Sequence, residues 1–164
     1  MKKKIIISIW SDPSNYINLL FLINHFINKK IQIVLICQNI DRKKDFYYFV
    51  KKSKYLKIIE INNKGKIGYF YFFISKLNSL KKYKPQTLIS INFISLFFSN
   101  LINYKKLNWI YYNFDFNFSK NFNINNFLEK KIIQNVNSVF LPSKSRVKLY
   151  KKKFLRKKNI FSIY

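Results

Sequence analysis

The chain has 164 residues, 49% of them hydrophobic, which excludes an intrinsically disordered protein and predicts a single domain over residues 1–164. Its one cysteine and one histidine exclude an internal disulfide and leave no ligand set for zinc, so we expect no metal site. No stretch approaches about 18 uncharged apolar residues, so we expect no membrane-spanning helix and a cytoplasmic location.

The charge is strongly positive, +26 at pH 7, from 32 Lys and Arg against 6 Asp and Glu. Nearly all of it is lysine, whereas proteins that read bases depend on bidentate arginine. Ile, Lys, Asn, Phe and Tyr are abundant and alanine is absent. These residues have adenine- and thymine-rich codons, so we interpret the excess mainly as compositional bias and expect no specific nucleic-acid partner. The surface still attracts phosphates, nucleotide sugars and acidic lipids.

Apolar runs and helical patterns alternate along the chain. The predicted strands are Ile5–Ile9, Gln32–Cys37, Leu56–Ile61, Leu88–Asn92, Trp109–Phe114, Ser138–Leu141 and Ile160–Ile163. The predicted helices are Pro13–Asn28, Arg42–Lys52, Ile67–Tyr83, Ile94–Asn103, Asn121–Asn135 and Lys144–Leu155. This alternation predicts an α/β fold: one doubly wound, mostly parallel, Rossmann-like sheet with helices on both faces.

Three local signals support the predicted joints. Asp12 before Pro13 predicts a helix N-cap followed by proline at the first helical position. Pro85 predicts the end of the third helix, because the residue before a proline is driven out of the α region. Ser143 is the expected cap of the last helix.

Four of the apolar strands run into polar residues. If the strands are parallel, their carboxyl ends share one edge, which is where open α/β sheets bind ligands. Of the six acidic residues, only Asp12 and Asp115 follow strands in this way, so an acid, base or hydroxyl-binding role is geometrically plausible for both. For Asp12 the competing interpretation is a helix cap. For Asp115 it is an ordinary loop residue, which makes Asp115 the catalytic candidate.

No Walker sequence and no GxGxxG motif occur, and Gly65 and Gly68 precede a helix in another context. A self-contained nucleotide site and a resident cofactor are therefore not expected. Ser143 and Arg146 could form an anion site at a helix N-terminus, with a simple cap plus a surface arginine as the alternative. Cys37, within an apolar run, is expected to be a buried structural thiol.

The segment 69–74, Tyr-Phe-Tyr-Phe-Phe-Ile, is aromatic and is followed by lysines at 76, 81, 82 and 84. Two interpretations stay open. The segment could lie on an anionic membrane surface, with the aromatic rings inward and the lysines at the headgroups. Alternatively, it is a helix packed on the sheet with a solvated basic end.

The ordered set of motifs resembles a known family. It comprises a first strand opening on a polar loop, Lys84-Pro85-Gln86 before a strand, residues 111–115 (YYNFD), Glu129 in a helix, and residues 137–146 (NSVFLPSKSR) before a basic helix. This order resembles the N-terminal, glycosyltransferase-4-like half of GT-B-fold glycosyltransferases, over essentially the whole chain.

The resemblance implies metal-independent transfer of a sugar from a nucleotide-sugar co-substrate to a cell-surface polysaccharide or lipid-linked glycan. In the family the N-terminal half mainly binds the acceptor. The acceptor-binding candidates carried over are Ser11, Asp12, Asn15, Tyr16, Asn92 and Asn113, with Asp115 beside them and Ser143 and Arg146 beyond. From the residues themselves, we expect a cytoplasmic location, with peripheral contact at the inner face of the membrane as an open alternative.

The sequence ends with a predicted strand where the family's donor-binding domain begins. We therefore expect a half-cleft that transfers little sugar alone, with a separate donor-domain chain as a candidate partner. The alternative from another functional class is a non-catalytic basic module that binds RNA or an anionic membrane surface.

Overall fold

The computed structural model describes residues 3–41, 43–102, 107–114, 124–153 and 159–162. Its strands are β1 (Lys4–Ile9), β2 (Gln32–Gln38), β3 (Leu56–Ile61), β4 (Thr87–Ile91), β5 (Asn108–Tyr112), β6 (Ser138–Leu141) and β7 (Asn159–Ser162). Its α-helices are α1 (Ile17–Asn28), α2 (Lys43–Phe49), α3 (Gly65–Tyr83), α4 (Asn92–Ile102), α5 (Ile124–Ile133) and α6 (Lys144–Lys153). A 3-10 helix, Pro13–Asn15, precedes α1.

The strands of the described residues form one seven-stranded parallel sheet in the order β3-β2-β1-β4-β5-β6-β7. This confirms the predicted doubly wound, Rossmann-like α/β fold. By internal contacts the chain divides into two compact units, Met1–Leu88 and Ile89–Tyr164. No described helix is long and apolar enough to cross a membrane.

In the first unit, β1, β2 and β3 run side by side, with Ile6 opposite Val34 and Val34 opposite Lys57. Every residue of β1 from Ile5 to Ile9 is buried, as in a strand covered on both sides. Parallel crossovers are right-handed, so the connections that lead outward through α1 and α2 lie on one face of these strands and α3 lies on the other.

In the second unit, burial alternates along β5 and β6. Tyr111, Val139 and Leu141 are fully buried. The alternate side chains form an aromatic ladder instead, because Phe140 stacks on Tyr112 with centroids 4.9 Å apart and on Phe161 at 5.3 Å. Period-two alternation explains how one strand serves two different surfaces.

Predicted helix boundaries need correction in three helices, of which the second ends at Phe49 and not at Lys52. The first predicted helix is interrupted at Tyr16, whose φ of −123° and ψ of 83° separate the 3-10 helix from α1. The third helix begins at Gly65, so both glycines lie inside its first turn and not before it. It ends at Tyr83 as predicted, but Lys84 takes the left-handed conformation, φ 43°, and donates its backbone N–H to Leu80.

Candidate functional site

The carboxyl end of β1 leads into Ser11 and Asp12. The Ser11 hydroxyl oxygen is buried and has no hydrogen-bond partner within the described part of the chain. A buried hydroxyl loses hydrogen-bonding free energy unless a ligand or a water molecule reaches it. Ser11 is therefore the residue of the first loop that is best suited to receive a hydrogen bond from outside the chain.

Asp12 uses both carboxylate oxygens to hold backbone. Its Oδ1 accepts hydrogen bonds from the Ser14 amide at 2.8 Å and the Ser14 hydroxyl at 2.7 Å. Its Oδ2 accepts a hydrogen bond from the backbone amide of Asp41 at 3.1 Å, and Asp41 lies in the loop that follows β2. The predicted N-cap is thus present, and it also fixes a neighbouring loop.

The loop after β2 is held by a second acid, Glu60 of β3. Its Oε2 accepts the Ile40 amide at 3.3 Å and lies 3.6 Å from the Lys43 ammonium. An open cavity of about 540 Å³ adjoins this loop. It is lined by Asn39, Ile40, Asp41, Lys43, Lys44 and Asp45. Because two carboxylates anchor the backbone of this loop, the cavity has one defined wall.

The other predicted residues of the first loop differ in exposure. Asn15 ends the 3-10 helix and is exposed, and its amide donates to the Asp12 carbonyl at 3.3 Å. Tyr16 is half-buried, and its carbonyl accepts the first amides of α1 from Leu19 and Leu20. Both residues therefore follow Ser11 and Asp12 in one compact turn.

Trp10, which directly follows β1, packs against α3. Its ring lies 4.7 Å from the ring of Tyr69 and 5.3 Å from that of Phe72, both on α3. A Cβ added at Gly68 would come within 2.2 Å of the Asn63 carbonyl oxygen and 2.7 Å of Trp10. Only glycine at position 68 lets α3 approach Asn63 and Trp10 this closely.

Cys37 is fully buried in β2. Burial, reinforced by the negative charges of Glu60 and Asp12, raises the pKa of its thiol above the usual range. The group stays protonated at neutral pH, which agrees with the predicted structural role and argues against a nucleophile.

In the second unit, the centre of the polar cluster is Glu129 of α5, which is 5% exposed. One oxygen, Oε1, accepts hydrogen bonds from the Tyr111 hydroxyl at 2.9 Å, the Asn113 amide at 2.9 Å and the Tyr150 hydroxyl at 3.1 Å. A buried carboxylate needs such donors, because desolvation without them costs several kcal/mol, roughly. The cluster joins β5, α5 and α6.

One donor of this cluster, Tyr150, has a perturbed pKa. Burial raises the pKa of Tyr150 well above its ordinary value, and the adjacent charge and hydrogen bond of Glu129 raise it further. Tyr150 is therefore a protonated hydroxyl donor at neutral pH. Tyr111 is also fully buried, so the hydrogen bonds to Glu129 are shielded from water.

Asn113 is the predicted acceptor residue that this cluster positions. It directly follows β5 and is 5% exposed, and its amide N–H donates to the Phe140 carbonyl at 3.1 Å. Its side-chain nitrogen is held by Glu129. Backbone and side chain are therefore both fixed at the carboxyl end of β5, as a rigid binding group requires.

Ser143 and Arg146 lie at the start of α6, beside the same strand end. The Ser143 hydroxyl accepts the Arg146 amide at 3.3 Å, which confirms the predicted cap. The Arg146 guanidinium donates to the Phe114 carbonyl at 2.9 Å, in the residue after Asn113. One guanidinium nitrogen is thus used to hold the loop, and the anion-binding role of this pair stays a prediction.

Asn92 is the first residue of α4 and immediately follows β4, with no intervening loop. Its φ of 63° lies in the left-handed region, which is uncommon outside glycine and is tolerated best by Asn and Asp. Backbone in this region persists where the surrounding structure requires it, often at functional sites.

The structure places the predicted site residues in two groups. In the second unit, Arg146 bonds to Ser143 and to Phe114, the residue after Asn113. In the first unit, Ser11, Asp12, Asn15 and Tyr16 follow one another in one turn. The catalytic candidate Asp115 lies outside the described residues.

From the sequence, Glu129 was identified only as part of the family resemblance and not as a buried hydrogen-bond acceptor. Its signal is present in the sequence: with Ile132, Ile133 and Val136, it occupies one stripe at helical spacing, and all four are buried. A carboxylate in such a stripe indicates a buried, hydrogen-bonded acid.

No group of three or more His, Cys, Asp or Glu side chains suited to a metal ion occurs among the described residues. The polar groups that the structure places at strand ends are hydroxyls, amides and carboxylates. These are donors and acceptors suited to the hydroxyl groups of a sugar.

Several solved structures have a fold similar to that of this chain. No family model matches the sequence, and no curated protein sequence matches it. Sucrose-phosphate synthase from Thermosynechococcus elongatus is similar with a TM-score of 0.72 and 11% identity, covering 99% of this chain and 48% of that one. The lipopolysaccharide outer core galactosyltransferase WaaB is similar at 0.65 and 14%, covering 99% and 45%.

UDP-GlcNAc 2-epimerase from Methanocaldococcus jannaschii is similar with a TM-score of 0.62 and 19% identity, covering 99% of this chain and 45% of that one. The chain thus spans about half the length of these three structures. At such identities the likeness shows the fold, which is the GT-B type of Rossmann-like domain predicted from the sequence. Enzymes with different activities share it, so the fold alone does not fix the reaction.

Proposed function

We propose that this chain is the acceptor-side part of a glycosyltransferase that moves a sugar from a nucleotide-sugar donor to a cell-surface glycan or a lipid-linked acceptor. The observation that carries the proposal is the GT-B-type fold, matched over 99% of the chain by a glycosyltransferase structure. The strand-end polar groups support it, because they lie where open α/β sheets bind ligands. These similarities favour sugar transfer over a non-catalytic basic module.

In this proposal, the second unit contacts the acceptor through Asn113. Its backbone and side chain are held by Phe140 and Glu129, so it can meet a sugar hydroxyl without losing conformational freedom on binding. Asn92 at the end of β4 contributes a second amide. Ser143 and Arg146 contribute the end of α6 and positive charge.

In the first unit, Ser11, Asp12, Asn15 and Tyr16 are proposed as acceptor contacts. Ser11 is the strongest of the four because its buried hydroxyl has no partner in the described residues. Asp12 already holds the Ser14 and Asp41 amides, so its contribution would be to set the shape of the first loop.

For the chemistry, Asp115 is proposed as the group that accepts the proton of the attacking acceptor hydroxyl. A carboxylate positioned within hydrogen-bond reach of a hydroxyl can act as a general base. Donor binding is assigned to a second domain or chain, so the 164 residues by themselves are expected to transfer little sugar. The proposed location is cytoplasmic.

The test is a set of NMR titrations of the 164-residue polypeptide. The probes are a lipopolysaccharide core oligosaccharide, UDP-galactose and UDP-N-acetylglucosamine. We expect the oligosaccharide to shift the resonances of Asn113 and Ser11 more than either nucleotide sugar does. Asn113→Ala should weaken that response about tenfold, as the loss of one buried hydrogen bond predicts. Asn28→Ala, an exposed asparagine on α1, is the matched control.

Two results would contradict this proposal. One is tight binding of a nucleotide sugar with no response to the oligosaccharide. The other is conversion of UDP-N-acetylglucosamine to its 2-epimer by the polypeptide. For the catalytic assignment, Asp115→Asn should abolish transfer once a donor domain is supplied, while circular dichroism stays unchanged. Unaltered transfer would remove Asp115 from the site.

A further inference from the structure

The outward side of α3 carries an apolar surface that no described residue covers. Ile67, Phe70 and Tyr71 are 63%, 61% and 49% exposed. They are spaced three and four residues apart, which places them on one face of the helix. We call these three residues the α3 patch. Single exposed apolar residues are ordinary on protein surfaces, but three adjacent ones form a patch that indicates a partner.

The opposite face of α3 accounts for the packing of the helix. Gly68, Phe72, Lys76, Ser79 and Leu80 are buried there, and Trp10 packs on Phe72. The aromatic segment therefore supplies both surfaces, and the two alternatives left open by the sequence are compatible. One correction concerns Lys76, which is fully buried and cannot reach lipid headgroups.

Basic residues flank the α3 patch at both ends. Lys64 and Lys66 are exposed at the start of the helix, and Lys81 and Lys82 are exposed near its end. At helical spacing, Lys81 and Lys82 continue the same outward face beyond Asn78. The face thus passes along a helix of 19 residues from an apolar half to a basic half.

We infer that the α3 patch docks this chain on an anionic lipid bilayer. Interfacial helices bury an apolar face at the boundary of headgroups and acyl chains while lysines remain among anionic headgroups. The patch and its flanking lysines reproduce that pattern. Binding to the bilayer requires no sugar transfer, so this inference can be tested independently of the proposed function.

Other occupants fit these residues less well. A second copy of the chain would bring together two chains that each carry a formal net charge of +26, and their mutual repulsion opposes association. Single-stranded RNA binds through aromatic stacking along a basic groove. The α3 patch includes the aliphatic Ile67 and lies on a convex helix face.

The test is flotation of the 164-residue polypeptide with vesicles of phosphatidylcholine and phosphatidylglycerol. We expect binding to these vesicles and much weaker binding to phosphatidylcholine alone. The triple substitution Ile67→Ser, Phe70→Ser, Tyr71→Ser should lower the apparent affinity by about tenfold or more. Tyr48→Ser is the matched control, because Tyr48 is 83% exposed on α2 and should leave binding unchanged.

Insertion is measured separately with Tyr71→Trp and, as its control, Tyr48→Trp. Brominated phosphatidylcholine in anionic vesicles should quench the fluorescence added at position 71 and not that added at 48. Three results would each overturn the inference. These are no flotation of the wild-type chain, equal flotation of the folded triple variant, and selective loss of RNA binding by that variant with vesicle binding intact.

Discussion

The side-chain amide of Asn113 donates a hydrogen bond to Oε1 of Glu129 over 2.9 Å and so ties the end of β5 to α5. Tyr111, two residues earlier on β5, donates to the same oxygen. Side chains two residues apart in extended backbone point to the same side, which is why one carboxylate can hold both. The buried Glu129 carboxylate, which connects β5, α5 and α6, thereby sets the position of the side-chain amide that we propose binds the ligand.

Removing that carboxylate should destabilise the second unit. Glu129→Ala leaves three buried donors without their acceptor, and each such group costs about 1–3 kcal/mol. We expect the free energy of unfolding to fall by more than about 3 kcal/mol, as measured by urea denaturation followed by circular dichroism.

Two milder variants calibrate that result. Glu129→Gln keeps an acceptor oxygen and should cost less than Glu129→Ala. Tyr150→Phe removes one of the three donors and should cost about 1 kcal/mol. A change below about 0.5 kcal/mol for Glu129→Ala would mean that the three hydrogen bonds do not stabilise this unit.

The left-handed backbone at Asn92 predicts an unusual order of substitutions. An alanine there should lower the free energy of unfolding by about 1–2 kcal/mol, because its Cβ disfavours a φ of 63°. Glycine has no such penalty and should stay within about 0.5 kcal/mol of the wild type. Urea denaturation midpoints of the two variants give the comparison, and equal midpoints would contradict the strain.

The two glycines of α3 should respond differently to alanine. At Gly68 the added Cβ would lie 2.2 Å from the Asn63 carbonyl oxygen, so backbone has to move. At Gly65 nothing lies within 4 Å, and only the φ of 62° opposes alanine. We expect Gly68→Ala to lower the melting temperature more than Gly65→Ala does.

That order is also informative because helix propensity alone would reverse it. Alanine is favoured over glycine inside a helix by about 1 kcal/mol, which would make Gly68→Ala stabilising. A higher melting temperature for Gly68→Ala would show that α3 does not pack as closely on Asn63 as the structure describes.

Lys76 should make stability depend on pH. Burial lowers the pKa of its ammonium group well below 10.5, so the unfolded chain binds a proton that the folded chain does not. The free energy of unfolding therefore rises with pH between the lowered folded pKa and 10.5, by about 1.4 kcal/mol per pH unit for one group.

Lys76→Met isolates this effect, since every other titrating group is common to both proteins. The difference in unfolding free energy between variant and wild type should shrink as pH rises towards 10.5. Methionine of similar length should also stabilise the protein near neutral pH, because no ammonium group has to lose its proton or its hydration on folding. A pH-independent difference would mean that Lys76 is not buried in solution.

How far the sequence predicted this protein differs between fold and site. All seven strands were placed within about two residues, because buried parallel strands are contiguous apolar runs that local sequence reveals. The break at Tyr16 was not predicted. The structure shows a 3-10 turn capped by Asp12 ahead of that break, and hydrophobic periodicity does not distinguish such a turn from the start of an α-helix.

The site itself stays a prediction. The sequence proposed residues that follow strands, and the structure shows that the Arg146 guanidinium donates to the carbonyl of Phe114, the residue after Asn113. The role of Glu129 as a shared hydrogen-bond acceptor was not predicted, because its partners Tyr111, Asn113 and Tyr150 are 16 to 21 residues away in the chain. Hydrogen bonds over such separations depend on which strand and helix faces meet.

By itself, the sequence determined the alternation of strands and helices, the parallel sheet, the excess of positive charge and the polar residues at strand ends. These follow from local periodicity and from counting, which need no knowledge of neighbours. Only the tertiary structure decided that Lys76 is buried, that Gly68 touches Asn63, and that Phe70 faces outward while Phe72 faces inward. Burial is a property of the surfaces that meet, and those surfaces come from distant parts of the chain.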